Sequence, residues 1–237
     1  MQPPALNEDT TVVVPMLNEA AVIGDVVAGL RCSFEHVICV DDGSTDKCGE
    51  LARAAGARVV THPSNLGQGA ALQSGVTFAL DDGRTKYIVT FDADGQHRVA
   101  DADRMVEVAR TSGVDIVLGS RFLESTSSGM TAARRAVLRA AVGFTRATTG
   151  LALTDAHNGL RVLSRYAAQR ISLTQAGMAH ASELLNQIAH HRLRHVEVPV
   201  TIDYTDYSRS RGQSNINALN ILFDLGLARL SEGRTRV

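Results

Sequence analysis

Tyr87-Ile88-Val89-Thr90-Phe91-Asp92-Ala93-Asp94-Gly95-Gln96 runs from five strand-forming residues into a turn that carries two carboxylates. The first half lacks polar alternation, the pattern of a strand buried on both faces in a parallel sheet covered by helices. The second half is a polar turn at the strand's carboxyl end, where open α/β sheets place their ligands. Two carboxylates two residues apart can converge there on one hard cation, Mg2+ or Mn2+. Gln96 can add a further ligand or a hydrogen bond.

The same rhythm extends in both directions. Thr11 to Val14 is apolar and β-branched and is expected to stop at Pro15. Val37 to Val40 runs into the turn cluster Asp41-Asp42-Gly43-Ser44; Arg58 to Thr61 and Ile116 to Leu118 are further strands. Between them Val22, Ile23, Val26, Val27 and Leu30 recur at helical spacing, as do Ala70, Leu72, Val76, Ala79 and Leu80. This alternation predicts an α/β chain whose mainly parallel central sheet is flanked by helices, Rossmann-like in its N-terminal half. After Gly119 the pattern changes. Thr131 to Thr149 reads as a helix carrying Arg134, Arg135, Arg139 and Arg146. Asp155 to Leu163 reads as a turn entering a strand, Ala181 to Ala189 as a helix and Val196 to Ile202 as a strand. Tyr204 to Ser214 is a polar loop, and a last helix starts near Asn215.

Three other strand ends carry chemistry. At Val40-Asp41-Asp42-Gly43-Ser44-Thr45-Asp46 one carboxylate can accept from a base N–H or a ribose hydroxyl, while Ser44 or Thr45 is expected to cap a helix starting near Asp46. At Val14-Pro15-Met16-Leu17-Asn18-Glu19 the acid can meet the ribose or base. Asn65-Leu66-Gly67-Gln68-Gly69 follows the third strand, not the first, and Leu72 stands where a dinucleotide fingerprint needs a third glycine. Its glycines let a loop and helix come close to a nucleotide. His97 and His157 lie near these motifs. His190, His191 and His195 straddle a helix end and a strand start, a poor metal cluster, and Glu183 reads as a helix-surface acid.

Composition narrows the class. A net charge of −1 over 237 residues argues against a general nucleic-acid binder. Cys32, Cys39 and Cys48 form neither a disulfide framework nor a zinc motif, which points to a reducing cytoplasm. Met1 to Asp9 lacks the pattern of a secretory signal, and no apolar run is long enough to span a bilayer.

Pro15-Met16-Leu17-Asn18-Glu19, Val40 to Asp46, Asn65 to Gly69, Asp92 to Gln96 and Gly119-Ser120-Arg121 occur in this order. The set resembles family 2 glycosyltransferases of the GT-A fold. Asp155-x-x-Asn158-Gly159-x-Arg161, Glu197-Val198-Pro199-Val200 and Arg209-x-x-Gly212-x-Ser214 narrow the resemblance to the dolichyl- and polyprenyl-phosphate sugar synthases. It implies one domain over 1–237, with a nucleotide-sugar-binding half at about 10–120, an acceptor-binding half at about 121–214 and a C-terminal helix and tail at 215–237. It also implies nucleotide contacts from Pro15, Leu17, Glu19, Asp41, Asp42, Gln68 and Asp92. The metal would lie on Asp92, Asp94 and Gln96. Asp94, Arg121 and Asp155 would be catalytic, and Arg134, Arg135, Arg161, Arg209 and Arg211 would hold the acceptor phosphate. Leu160 and Asn215 replace the aromatic and the Lys that many relatives carry; either Arg211 takes over the latter's duty or that phosphate contact is absent.

The arginine-rich helix suits such an acceptor. A sugar hydroxyl needs a general base, whereas a phosphate monoester is already mostly a dianion and needs cations that position it. The expected reaction is inverting transfer from a UDP-sugar, or a GDP-sugar, to polyprenyl phosphate. The protein would be peripheral on the cytoplasmic face of the membrane, with a small membrane protein as possible partner. The alternatives are a hydroxyl acceptor, with Asp155 as base, and a sugar-phosphate nucleotidyltransferase. The latter wants a glycine-rich basic loop where this chain has Met16-Leu17-Asn18.

Overall fold

The computed structural model describes residues 6–123, 142–143, 145–147, 149–175, 179–203 and 207. Seven strands form one sheet: β1 (Asn7–Met16), β2 (Phe34–Asp41), β3 (Arg58–Thr61), β4 (Tyr87–Thr90), β5 (Ile116–Ser120), β6 (Arg161–Ser164) and β7 (His195–Pro199). Their spatial order is β3-β2-β1-β4-β6-β5-β7. All neighbours are parallel except those of β6, which runs antiparallel to both β4 and β5. The helices are α1 (Ile23–Arg31), α2 (Cys48–Ala54), α3 (Gln68–Asp81), α4 (Val99–Ser112), α5 (Arg165–Ala168) and α6 (Ala179–His190).

Both sheet faces are covered, as the strands without polar alternation predict. Val12 and Val14 of β1 pack with α1, α2 and α4 through Val27, Leu30, Ala52, Met105 and Val106. Val13, between them, points the other way and packs with α3, α5 and α6 through Leu72, Val76, Ala167, Leu184 and Leu185. Alternate residues of one strand therefore belong to two cores, the period-two rule applied to a strand buried twice.

Several expectations are corrected. β1 continues through Pro15, which pairs with Val40 of β2. Val13 O accepts from Phe91 N of the β4 side and Met16 O from Asp42 N of the β2 side. Odd residues of β1 thus face β4, so the N–H that Pro15 lacks would have pointed beyond the last β1–β4 ladder pair, Val13–Thr90. Proline costs nothing in the β2 ladder and ends the β4 ladder. Neither Ser44 nor Thr45 caps α2: its N-cap is Lys47, without a side-chain cap. Cys48 N donates instead to Asp46 Oδ1. The last strand ends at Pro199, not Ile202. Of the arginine-bearing helix only residues 142–143, 145–147 and 149 are described, all helical. Arg134, Arg135, Arg139, Arg209, Arg211 and the C-terminal helix lie outside the described residues.

Two features of topology place the site. Strand order reverses between β1 and β4, and ligands of open sheets bind at the carboxyl ends beside such a reversal. Because β6 alone is inverted, its amino end and the preceding loop reach the edge where the other strands have their carboxyl ends.

Candidate active site

The carboxylate turn after β4 sits on this edge. Asp92 Oδ2 lies 2.9 Å from His97 Nε2, and Asp92 Oδ1 accepts from Gln68 Nε2 at 3.4 Å. The Asp92 side chain is about one-third exposed, that of His97 almost enclosed. Burial pushes Asp92 upward, but the bond and charge of His97, with the charges of Arg161 and His180, outweigh it and lower its pKa. Asp94 goes the other way. Burial and the adjacent Asp92 charge raise it to about 6, although Gln96 N donates to its Oδ1. Two close carboxylates with opposed shifts are a site of excess negative charge, fit for a divalent cation.

The inverted strand closes one side. Thr90 Oγ1 donates to Gly159 O at 2.7 Å, and Gly119 N donates to Leu160 O. A Cβ on Gly159 would stand 2.3 Å from Asp92 Oδ2, so only glycine lets this loop reach the carboxylate. Asp155, on the same loop, is 4% exposed. It receives Arg121 Nε at 2.6 Å, Nη2 at 2.8 Å and the Arg121 backbone N at 3.1 Å. Burial alone would raise its pKa; the Arg121 guanidinium and its hydrogen bonds hold it below the usual carboxylate range. Glu197 of β7 fixes this loop from behind, accepting from Thr154 N, Thr154 Oγ1 and Asp155 N.

The ends of β1 and β2 close the other side. Asn18, in left-handed conformation with φ 56°, accepts from Thr45 N at 2.8 Å, while its own N donates to Ser44 Oγ at 2.9 Å. Ala20 N donates to Asp46 Oδ2. These bonds stitch the two strand-end loops together. Asp41 Oδ1 takes Ser44 N at 3.0 Å, and Glu19 Oε2 takes the Tyr207 hydroxyl at 2.8 Å.

Residues 11–172 match the family model described as glycosyl transferase family 2. The chain is a family 2 glycosyltransferase. It is 36% identical over 225 residues to uncharacterized protein MJ1222 of Methanocaldococcus jannaschii, covering 93% of this chain and 92% of that one. It is 31% identical to polyprenol monophosphomannose synthase of Mycolicibacterium smegmatis, covering 90% of this chain and 82% of the relative. Among solved structures it superposes on glucosyl-3-phosphoglycerate synthase of Mycobacterium tuberculosis, crystallised with Mn2+, UDP-glucose and phosphoglyceric acid. There the TM-score is 0.67 at 21% identity, over 92% of this chain and 79% of that one. The likeness shows the GT-A fold expected from the sequence.

In the glycosyltransferase the expected site residues divide. Pro15, Leu17, Glu19, Asp41, Gln68, Asp92, Asp94, Arg121 and Asp155 gather on the carboxyl edge. Three others are placed differently from expectation. Asp42 is 3% exposed, and its carboxylate receives His62 Nδ1, Leu66 N and Gly67 N. Arg161 is 3% exposed within β6, with its charge toward Asp92 and Asp155; burial lowers its pKa and those carboxylates oppose the shift. Gln96 is 6% exposed and uses its backbone, donating to Asp94 and accepting from Asp203 N. Among the described residues no group of three or more His, Cys, Asp or Glu side chains is arranged to hold a metal.

His180 carried no signal of its own, yet it acts electrostatically on Asp92. His157, noted for its nearness to the motifs, is pulled down to about 4 by burial. Glu183, read as a surface acid, accepts from Thr174 N and Gln175 N, and Gln175 O lies where a Cβ on Gly69 would stand. His190 and His191 stack edge to face at the end of α6, and His195 opens β7 at the opposite edge of the sheet.

Proposed function

We propose that this glycosyltransferase moves a sugar from a nucleoside diphosphate donor to a polyprenyl phosphate in one inverting displacement. The base and ribose lie over the ends of β1 and β2, against Pro15, Leu17, Glu19 and Asp41. Asp92 and Asp94 hold a divalent cation, Mg2+ or Mn2+. Two carboxylates without a third ligand suit a cation that completes its shell with diphosphate oxygens and water. When bound, it supplies positive charge to the departing diphosphate. Asp42 belongs to the support of the Leu66–Gly67 loop, and Arg161 is an internal countercharge to Asp92 and Asp155.

The observation that carries the acceptor class is Asp155. A hydroxyl acceptor needs a base, and Asp155 is the carboxylate placed for that duty on the acceptor side. It is enclosed, doubly bonded to Arg121 and held ionised by it, so its proton affinity is low. A phosphate oxygen needs no base. It attacks the anomeric carbon as the bond to the diphosphate breaks, and the nucleoside diphosphate leaves with that electron pair. Arg121 and Asp155 then act as a fixed pair that shapes the acceptor side, with Arg134, Arg135, Arg209 and Arg211 drawing the lipid phosphate in. The similarity to polyprenol monophosphomannose synthase supports the same acceptor.

No helix among the described residues is long and apolar enough to cross a membrane. We assign the enzyme to the cytoplasmic membrane face, with a small membrane protein as candidate partner. UDP-sugars are the first choice of donor and GDP-sugars the second. A screen of both classes for donor hydrolysis, with Mg2+ and with Mn2+, tests the donor half of the reading. Cation-dependent release of one nucleoside diphosphate supports it, and no turnover of any nucleotide-sugar contradicts it.

A further inference from the structure

Three polar side chains form a chain beside the donor side. Asp42 Oδ1, at the end of β2, lies 2.7 Å from His62 Nδ1, one residue past β3. His62 Nε2 lies 2.9 Å from Ser74 Oγ, two turns into α3. Asp42 and His62 are each more than nine-tenths buried. A carboxylate accepts, so the proton of this bond is assigned to Nδ1, and Nε2 shares a hydrogen bond with the Ser74 hydroxyl.

The order Asp–His–Ser is that of a hydrolytic triad, but the surroundings rule out that chemistry. Ser74 sits inside α3, where neighbouring backbone N–H groups are consumed by the helix and form no oxyanion hole. The other oxygen contacts of Asp42 point to a different task. Leu66 N donates to Oδ1 at 2.9 Å and Gly67 N to Oδ2 at 2.8 Å. Gly67, with φ 95°, is the N-cap of α3 and has no side-chain cap. Asp42, His62, Ser74 and Gly67 thus close a triangle between β2, β3 and the first two turns of α3. The helix end so fixed carries Gln68, whose Nε2 reaches Asp92.

We propose that Asp42, His62 and Ser74 are positioning residues that set the Asn65–Gly67 loop and the amino end of α3 for the donor diphosphate. None of the three touches the donor. Gly43 adds to the fit: it has φ 76°, and a Cβ there would stand 2.5 Å from the Ser64 carbonyl carbon, so the loop is laid directly on the Asp42 turn. The inference rests on the donor reading above but not on the acceptor.

The test is nucleoside diphosphate binding by calorimetry, with UDP and GDP as probes and Mn2+ present, on folded variants well below their melting temperatures. His62→Ala is expected to weaken the better probe by about ten- to a hundredfold, the loss that follows removal of a hydrogen bond made to a charged group. His62→Asn restores a donor near the Nδ1 position and should recover most of that affinity. Ser74→Ala should lie between His62→Ala and wild type; it removes one hydroxyl at a half-buried site and decides the matter should His62→Ala not fold. Wild-type affinity in folded His62→Ala, no recovery in His62→Asn, or wild-type affinity in Ser74→Ala each overturns the relay. Failure of the wild type to bind either probe would instead overturn the donor reading, so the two failures are distinct.

Discussion

Asp92 and Asp94 occupy one turn, yet their environments push them apart. His97 keeps Asp92 ionised, whereas Asp94 carries the cost of a second charge and titrates near 6. The sign of the pH effect follows. Below about 6 Asp94 is protonated and a cation must displace that proton, so cation affinity falls as pH falls through this value. Calorimetric titration of Mn2+ with nucleoside diphosphate, from about pH 8 to about pH 5, should show weakening and proton release across that window; a flat profile would remove Asp94 from the cation site. Gly159 offers an independent check. Gly159→Ala puts a methyl against Asp92 Oδ2 and should abolish cation-dependent nucleotide binding with the fold intact by circular dichroism. Binding at wild-type strength would mean that the loop yields and that Asp92 is not held as described. At this scale the carboxylate turn was plain in the sequence because it is local. Its supports were visible only as motif residues: His97 is near in sequence, whereas Gly159 and Glu197 reach the site through strand pairing, which no spacing records.

Helix α3 shows how an element carries a residue-scale requirement. It lies across β1 and β2 at Gly75, where a Cβ would stand 2.2 Å from Val13 Cγ1 and 3.1 Å from Val40 Cγ2. Both are buried core atoms with no room to retreat. Gly75→Ala gains helix propensity of about 1 kcal/mol but overpacks the core at a cost of about 1–3 kcal/mol or more. The clash should win. Urea unfolding is expected to show net destabilisation, and a stabilised variant would mean that α3 sits further from the sheet. The strands of the N-terminal half were legible because each is a short apolar run ending at a turn signal; β3 matches its expected residues at both ends. The inversion of β6 was not legible, since periodicity records burial and not direction. The α2 cap was misread for a related reason: Ser44 looks like a cap, but its hydroxyl oxygen accepts from Asn18 N of another loop. Helix α4 escaped notice because Asp, Arg and Glu interrupt its buried Ala102, Met105, Val106 and Ala109.

Across the whole molecule, the segment that follows β7 is tied back to the carboxylate turn. His97 bridges to Ile202, Asp203 N reaches Gln96 O, and Arg98 clasps Asp203 with two bonds of 2.7 and 2.6 Å. Residues 202 and 203 are thereby held beside the carboxylate turn, and Tyr207 touches Glu19. On the proposed reading such a frame would bring a lipid phosphate and a nucleotide-sugar to one edge of one sheet, beside an acid that Arg121 holds ionised. The most direct test compares two acceptors of equal chain length, polyprenyl phosphate and the free polyprenol, with the preferred nucleotide-sugar and Mn2+. Labelled sugar should enter the organic phase with the phosphate alone and cease to do so when EDTA is added. Transfer to the free alcohol at a comparable rate would contradict the account, because it would require a base, and Arg121 holds Asp155 ionised with low proton affinity.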